Sequence, residues 1–212
     1  KAHAEKYFAK WPAGTVKSPT YVQPKEPAKT YVALVDRPTS VQSVINIAYP
    51  VDLKPGTQDA IKARVTNQIL GGGFSARLMQ NLREKHGYTY GAGSRLNPDN
   101  LIGNFNASAS VRNEVTDSSV HEFLSELKRM VNEPVLEKEL IAAKAEISGS
   151  FGRSLENPQT IAGFALNTAK YNLPKDYYNN YIKLRESKEL SATMPQFFSQ
   201  INNVIFNHNL KK

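Results

Sequence analysis

The 212 residues contain no cysteine, so no disulfide framework holds this chain together. Histidine is almost as scarce: His3, His86, His121 and His208 are the only four, and no two stand within five positions of each other. A helix that holds zinc for hydrolysis needs two histidines one turn apart with a glutamate beside them, in the order H-x-x-E-H. His121-Glu122 continues as Phe123-Leu124-Ser125, so the second histidine is missing. No metal site and no cofactor are expected within this chain. Long apolar runs are missing too, and nothing approaches the roughly 20 residues that would span a bilayer. Lys1-Ala2-His3-Ala4-Glu5 opens no apolar leader, as a segment beginning mid-protein also would not. There is no internal repeat and no low-complexity tract. Acidic residues are in deficit: 19 Asp and Glu against 27 Lys and Arg leave a net charge of +8. The basic residues are scattered, without the aromatic-basic or helix-turn-helix patterns of nucleic-acid binders, so no nucleic-acid partner is expected. A basic nucleic-acid-binding module stays as an alternative, and attraction of acidic peptide segments is another reading of the same charge.

What is present centres on one stretch. Leu70-Gly71-Gly72-Gly73-Phe74-Ser75-Ala76-Arg77-Leu78 runs into Asn81-Leu82-Arg83-Glu84-Lys85-His86-Gly87-Tyr88-Thr89-Tyr90. Three glycines in a row are costly in any helix or strand, so they mark a loop that bends sharply or lets something approach closely. No Gly-Lys-Ser/Thr follows, which excludes a Walker loop. The strand–G-x-G-x-x-G–helix context of a dinucleotide site is absent as well. Phe74, Leu78 and Leu82 repeat every four residues and predict one apolar helical stripe. Ser75 is positioned as its N-cap and Gly87 as its left-handed stop. Tyr88 to Ala92 reads as a strand. This order puts Arg83 and Tyr90, seven residues apart, at one helix-to-strand corner. Read alone, Arg83 is a surface residue paired with Glu84 or a helix terminus, and Tyr90 is sheet filling. Tyr88, two residues earlier, is the competing assignment. His86 reads as a helix-end cap rather than a ligand.

The rest of the chain divides simply. Residues 1–11 read as a helix end with Tyr7, Phe8 and Trp11 clustered, and the proline-rich stretch to residue 29 as an extended linker. Tyr31 to Val35 and Ser43 to Tyr49 read as strands, the second with Ser43, Ile45, Ile47 and Tyr49 on one face and Pro50, Pro55 and Gly56 as breakers. Thr57 caps a helix carrying Ile61, Val65 and Ile69. Asn97-Pro98-Asp99-Asn100 is a turn. Gly103 to Val111 alternates, with Phe105, Ala107, Ala109 and Val111 inward. Amphipathic helices follow: one with Val120, Phe123, Leu124, Leu127 and Val131, and one with Pro134 in its first turn and Leu136, Leu140, Ile147 and Phe151. A third, capped at Asn157-Pro158, carries Ile161, Ala165, Leu166 and Ala169. The last holds Tyr177, Tyr178, Tyr181 and Leu184. Hairpins first and helices after predict an α+β fold, an antiparallel sheet with helices packed on one face. The predicted divisions are 1–29, a domain end plus linker; 30–205, one α+β domain; and 206–212, a tail.

The glycine loop, the Leu82-Arg83-Glu84-Lys85 run and the tyrosine at that spacing resemble the second domain of the M16 zinc metallopeptidases (pitrilysin, insulysin, mitochondrial processing peptidase). Tyr31 to Pro38 and Val41 to Val44 look like the opening strands of that domain, and Ala4 to Pro12 like the end of the domain before it. The resemblance implies the M16 (LuxS/MPP-like) fold and the accessory half of a zinc endopeptidase. Zinc would then sit in an H-x-x-E-H-bearing catalytic half, on the same polypeptide or a separate chain, and the two halves would close around a peptide substrate. It implies Arg83 and Tyr90 as the residues reaching the reacting peptide, with Gly71, Gly72, Gly73 and Phe74 contacting substrate. This chain alone would be inactive. The resemblance also points to the periplasm or cell envelope of a bacterium. A catalytically inactive structural or peptide-binding relative is the alternative within the family.

Overall fold

The computed structural model describes residues 1–12, 14–15, 17, 20–22 and 29–186, with 182–186 as backbone only. Much of the proline-rich stretch, the side chain of Leu184 and the whole 206–212 tail lie outside the described residues. The first element, α1 (Ala2–Phe8), buries none of its residues, and Phe8 meets Trp11 edge to face at 5.1 Å.

Among the described residues three strands make the sheet: β1 (Gln42–Val51), β2 (Thr89–Asn97) and β3 (Gly103–Arg112), antiparallel in the order β1-β3-β2. Alternation sets the register, since one slip would turn every apolar residue outward. Ser43 faces Val111, and Tyr49 faces Phe105. Ile45, Tyr49, Phe105, Ala107, Ala109 and Val111 point into the core, while Asn46, Asn104 and Ser110 stand exposed on the other face. Pro50 does not break β1 as its type predicts. It pairs with Asn104 inside the strand, because β1 is an edge and its outer N–H positions need no partner.

One strand expected from composition is absent. Residues 31–37 join no ladder, and Tyr31, Val32, Leu34 and Val35 are all exposed. Residue type favours a strand here, but a strand also needs a partner for its backbone groups, and none is offered among the described residues.

Helices cover the apolar face. α2 (Gln58–Asn67) starts where the Thr57 hydroxyl accepts a hydrogen bond from the Ala60 N–H at 3.1 Å. It continues as a π-turn, Gln68–Gly72, and buries Ile61, Val65, Ile69 and Leu70. A π-helix, Met79–Lys85, buries Leu82 with Leu78 beside it. α3 (Thr116–Asn132) contributes Phe123, Leu127 and Met130, and α4 (Glu137–Ser154) contributes Ala143 and Ile147. Val120, Leu124 and Val131, placed on the α3 core stripe by period alone, lie at its half-buried edges.

Two helix predictions need correction. Pro134 stays outside α4, and Leu136, placed on its apolar face by period, is its exposed N-cap; the first turn is fixed instead by Glu139, its carboxylate accepting from the Leu136 N–H at 3.0 Å. α5 (Pro158–Lys170), capped as expected by Asn157 accepting from the Gln159 N–H, turns its other face inward. Ile161, Ala165, Leu166 and Ala169 are exposed, while Phe164 stacks on Tyr178 at 3.9 Å and on Phe151 at 5.7 Å. Tyr178 and Tyr181 belong to α6 (Tyr177–Glu186).

A bidentate pair ties the π-helix side to α4. Arg77, 6% exposed, donates from Nε and Nη2 to the two Glu139 carboxylate oxygens at 2.8 and 2.9 Å. The Arg77 hydrogen bond, helped by the Leu136 N–H, holds the Glu139 carboxyl below the usual carboxylate value of 4.5. A depressed carboxylate stabilises the fold above its unfolded value and ceases to do so as pH falls through the folded one. Glu139→Gln is therefore expected to cost about 2 kcal/mol at neutral pH. It should also lose less stability than the wild type between pH 5 and pH 3. Urea melts at stepped pH check both; parallel acid profiles for the two proteins would refute the assignment.

Candidate functional site

The glycine loop is a crossing point of backbones. A Cβ on Gly71 would lie 2.4 Å from the Ser94 amide nitrogen and 2.9 Å from the Gly93 carbonyl carbon. Gly71 is buried, so its missing side chain admits β2 rather than an outside peptide. Gly72 is exposed and would meet only the Gln68 side-chain end, at 2.5 Å. Gly73 would meet the Glu146 carboxylate at 2.4 Å. A cleft of about 490 Å³ opens beside Gly71 and Gly72 against Gly93, Asn106 and Ser108 on the outer sheet face.

Phe74 departs from the predicted stripe. The α-helical turn begins only at Arg77, so Phe74 lies in the loop before it and is 73% exposed. Ser75 does not cap that turn; the Ala76 N–H donates to the Gly73 carbonyl at 3.2 Å, and no side-chain cap is made. Exposure leaves Phe74 free to receive Arg83, whose guanidinium lies 5.5 Å from the ring centre. Arg83 also stands 3.5 Å from the half-exposed Glu84 carboxylate. An exposed pair between neighbours in sequence holds its partners loosely. Arg83 is thus steered by one ring and one flexible acid rather than buried.

The helix ends as its glycine predicts. Gly87 adopts φ +61°, and the Tyr88 N–H donates to the Leu82 carbonyl at 2.8 Å, one residue deeper than an α-helical closure because this helix is π-wound. The turn sends the two tyrosines to different places. Tyr88 is half-buried and stacks on His86 at 4.9 Å and 27°. His86 sits in turn 3.9 Å from Glu122, which also accepts from Asn81. The Asn81 hydrogen bond lowers the Glu122 pKa, with the neighbouring His86 charge contributing less.

Tyr90 is 90% exposed, and its hydroxyl makes no hydrogen bond among the described residues. Its orientation has a local cause. Thr89 pairs with Val111 and Ala92 with Ala109, so β2 carries one more residue than β3 across this interval. That is a β-bulge at Tyr90-Gly91, a device that turns a side chain out of the regular alternation. The Thr89 hydroxyl fixes it, donating to the Ser110 carbonyl at 2.6 Å and accepting from the Gly91 N–H at 3.1 Å. A Cβ at position 91 would meet nothing within 4 Å, so the space beside the bulge is open.

A second, larger cleft of about 720 Å³ was not legible in the sequence. Phe151, Phe164, Tyr177 and Tyr178 form its aromatic side, and it shares Arg64, Asn67 and Arg95 with the cleft beside the glycines. Burial, with Tyr181 and Tyr178 close by, pushes the Tyr177 phenol up to about 12. Neither Arg83 nor Tyr90 lines either cleft. Among the described residues no group of three or more His, Cys, Asp or Glu side chains is placed to hold a metal ion, and no helix is long and apolar enough to cross a membrane.

Known proteins carry the same pattern. A family model described as the peptidase M16 inactive domain matches residues 1–147. An uncharacterized zinc protease of Rickettsia bellii (strain RML369-C) is 35% identical over 88 residues, 42% of this chain and 21% of its own length. A Rickettsia felis (strain ATCC VR-1525 / URRWXCal2) protein of the same description is 37% identical over 79 residues, 37% of this chain and 19% of its own. The crystal structure of a peptidase M16 inactive domain from Pseudomonas fluorescens superposes with TM-score 0.72 at 28% identity, covering 85% of this chain and 44% of that one. A Helicobacter pylori protease shares the fold at TM-score 0.79 and 17% identity, over 92% of this chain and 47% of that one. The match spans about a fifth of the curated relatives and under half of these two solved chains. The chain belongs to the peptidase M16 family, as a domain of the family's inactive type.

Proposed function

We propose that this chain is the accessory, substrate-holding half of an M16-type zinc endopeptidase. The metal and the glutamate base would come from an H-x-x-E-H-bearing half, since the described residues here offer no ligand set that fits zinc. The observation that carries the reading is the bulge at Tyr90-Gly91, which presents an unengaged phenol beside the helix that carries Arg83.

The chemistry asked of this half is modest. Attack on a peptide carbonyl puts negative charge on its oxygen. A phenol O–H held on a rigid strand donates to that oxygen as the charge develops. A guanidinium offers several donors in a fixed fork and holds a peptide carbonyl before and during reaction. The exposed Phe74 ring, 5.5 Å from the Arg83 guanidinium, steers it by a cation–π contact. The substrate-contacting role expected for the glycines narrows to Gly72 and Gly73, because Gly71 is committed to β2.

Reconstitution tests this directly. The chain is mixed with the H-x-x-E-H half encoded in the same reading frame or beside it, and an internally quenched peptide reports cleavage. Hydrolysis is expected from the mixture, to be abolished by a chelator, and not from this chain alone. Metal analysis of the dialysed chain should find far less than one zinc per molecule. A mixture no faster than the catalytic half by itself would overturn the proposal.

A further inference from the structure

Two clefts meet at Arg64, Asn67 and Arg95, and among the described residues no Asp or Glu lines either of them. A basic side chain in a cleft normally finds an acidic partner; among the described residues these arginines have none. Arg64 donates from Nη1 to the Tyr181 phenol at 2.9 Å and lies 5.7 Å from that ring, a neutral partner that steers the guanidinium without neutralising it. Its Nε and Nη2 have no partner among the described residues. Arg95 is exposed, and its side chain makes no hydrogen bond or ion pair among the described residues.

The backbone that carries the two arginines is clamped. Asn67 donates from Nδ2 to the Ser94 carbonyl at 2.9 Å and accepts from the Ser94 hydroxyl at 2.8 Å. Arg64 lies one helical turn before Asn67, and Arg95 directly follows Ser94, so this pair of bonds fixes the element bearing each guanidinium. The aromatic wall of Phe151, Phe164, Tyr177 and Tyr178 continues from the same junction.

The geometry points to a carboxylate-reading subsite: Arg64 and Arg95 together receive a carboxylate of the bound peptide, and the aromatic cleft takes the bulky apolar residue beside it. This rests on the reading of the chain as a peptide-holding half and names the peptide it prefers, an acidic residue next to an apolar one. Two guanidiniums on clamped backbone elements, with no counter-charge among the described residues, gain from a carboxylate what neither gains from a neutral amide. An acidic side chain and a free chain end share that chemistry.

Three fluorescein-labelled peptides separate the possibilities: amidated Gly-Ser-Phe-Glu-Ser-Gly, its Glu-to-Gln twin, and that twin with a free C-terminal carboxylate. Binding to the chain is read by fluorescence anisotropy. The Glu peptide is expected to bind about tenfold tighter than the Gln twin at roughly 20 mM salt, a gap that narrows near 200 mM. A gain by the free-carboxylate twin assigns the subsite to chain ends, and a gain by the Glu peptide alone assigns it to side chains. Arg95→Gln, at an exposed position whose side chain has no partner among the described residues, should remove most of the gap, and Arg95→Lys should keep part of it. Equal binding of all three peptides overturns the subsite, as does a carboxylate-dependent gap that survives Arg95→Gln, or a single-stranded oligonucleotide that displaces the Glu peptide more effectively than unlabelled Glu peptide does. Equal binding leaves the accessory-half reading standing, because that reading is decided by the reconstituted cleavage assay.

Discussion

Tyr90→Phe is expected to lower turnover of the reconstituted two-half enzyme by roughly 10²- to 10³-fold, the usual effect of removing one donor to a developing oxyanion. Substrate affinity should change far less, because the phenol matters most once charge appears on the carbonyl oxygen. The fold should not notice: the hydroxyl has no hydrogen bond among the described residues, and the residue is 90% exposed. Arg83→Ala should weaken binding and turnover together, since a guanidinium on a substrate carbonyl acts in the ground state as well. Tyr88→Phe is the internal control. Tyr88 is stacked on His86, so loss of its hydroxyl should leave turnover near wild type. Steady-state kinetics on the three variants decide the matter. A silent Tyr90→Phe beside a dead Tyr88→Phe would move the assignment by two residues. If all three were silent, the corner would be structural only.

That control has its meaning because the two tyrosines could not be told apart in the sequence. Simple alternation puts Tyr88 and Tyr90 on one face of a strand. The extra residue at Tyr90-Gly91 breaks the alternation, and its cause is the Thr89 hydroxyl reaching Ser110 on another strand. Nothing within the run announces it. The same limit explains α5. Its apolar residues lie nearly all round the helix, so periodicity cannot choose a face, and the choice falls to Phe164 stacking on Tyr178. Where a segment carries its own answer, the reading succeeds. Gly103 to Val111 alternates without exception, Thr57 and Asn157 cap the helices they precede, and Gly87 takes the left-handed stop. Long-range pairs stay hidden for a plain reason. Arg77 and Glu139 stand 62 positions apart, and Asn67 and Ser94 stand 27 apart. Neither partner has a composition that singles out the other. The two clefts and their arginines depend on just such pairs.

The three glycines show how far residue type carries and where geometry takes over. Each is expensive to place, and the sequence suggests one shared purpose, close approach of a substrate. The structure divides them. A methyl on Gly71 meets backbone atoms of Ser94 and Gly93, which cannot move without shifting β2. A methyl on Gly72 meets the Gln68 amide, and one on Gly73 meets the Glu146 carboxylate and the Gln68 amide, all ends of flexible side chains that can swing away. Gly71→Ala is therefore expected to destabilise the domain by about 3 kcal/mol, near the upper end for overpacking a well-filled interior. Gly72→Ala should cost well under 1 kcal/mol, within the range of ordinary surface changes. Gly71 has φ −157°, so the difference comes from collision and not from a forbidden backbone conformation. Urea unfolding at constant slope measures both. The larger variant carries a second consequence. β2 bears Tyr90 and Arg95, so a strand pushed off the loop misplaces both, and Gly71→Ala should lose cleavage activity even at temperatures where it stays folded. If Gly71→Ala proves as stable and as active as Gly72→Ala, the crossing of loop and strand does not have the tight contact described, and the placement of Tyr90 on a strand held by that contact falls with it.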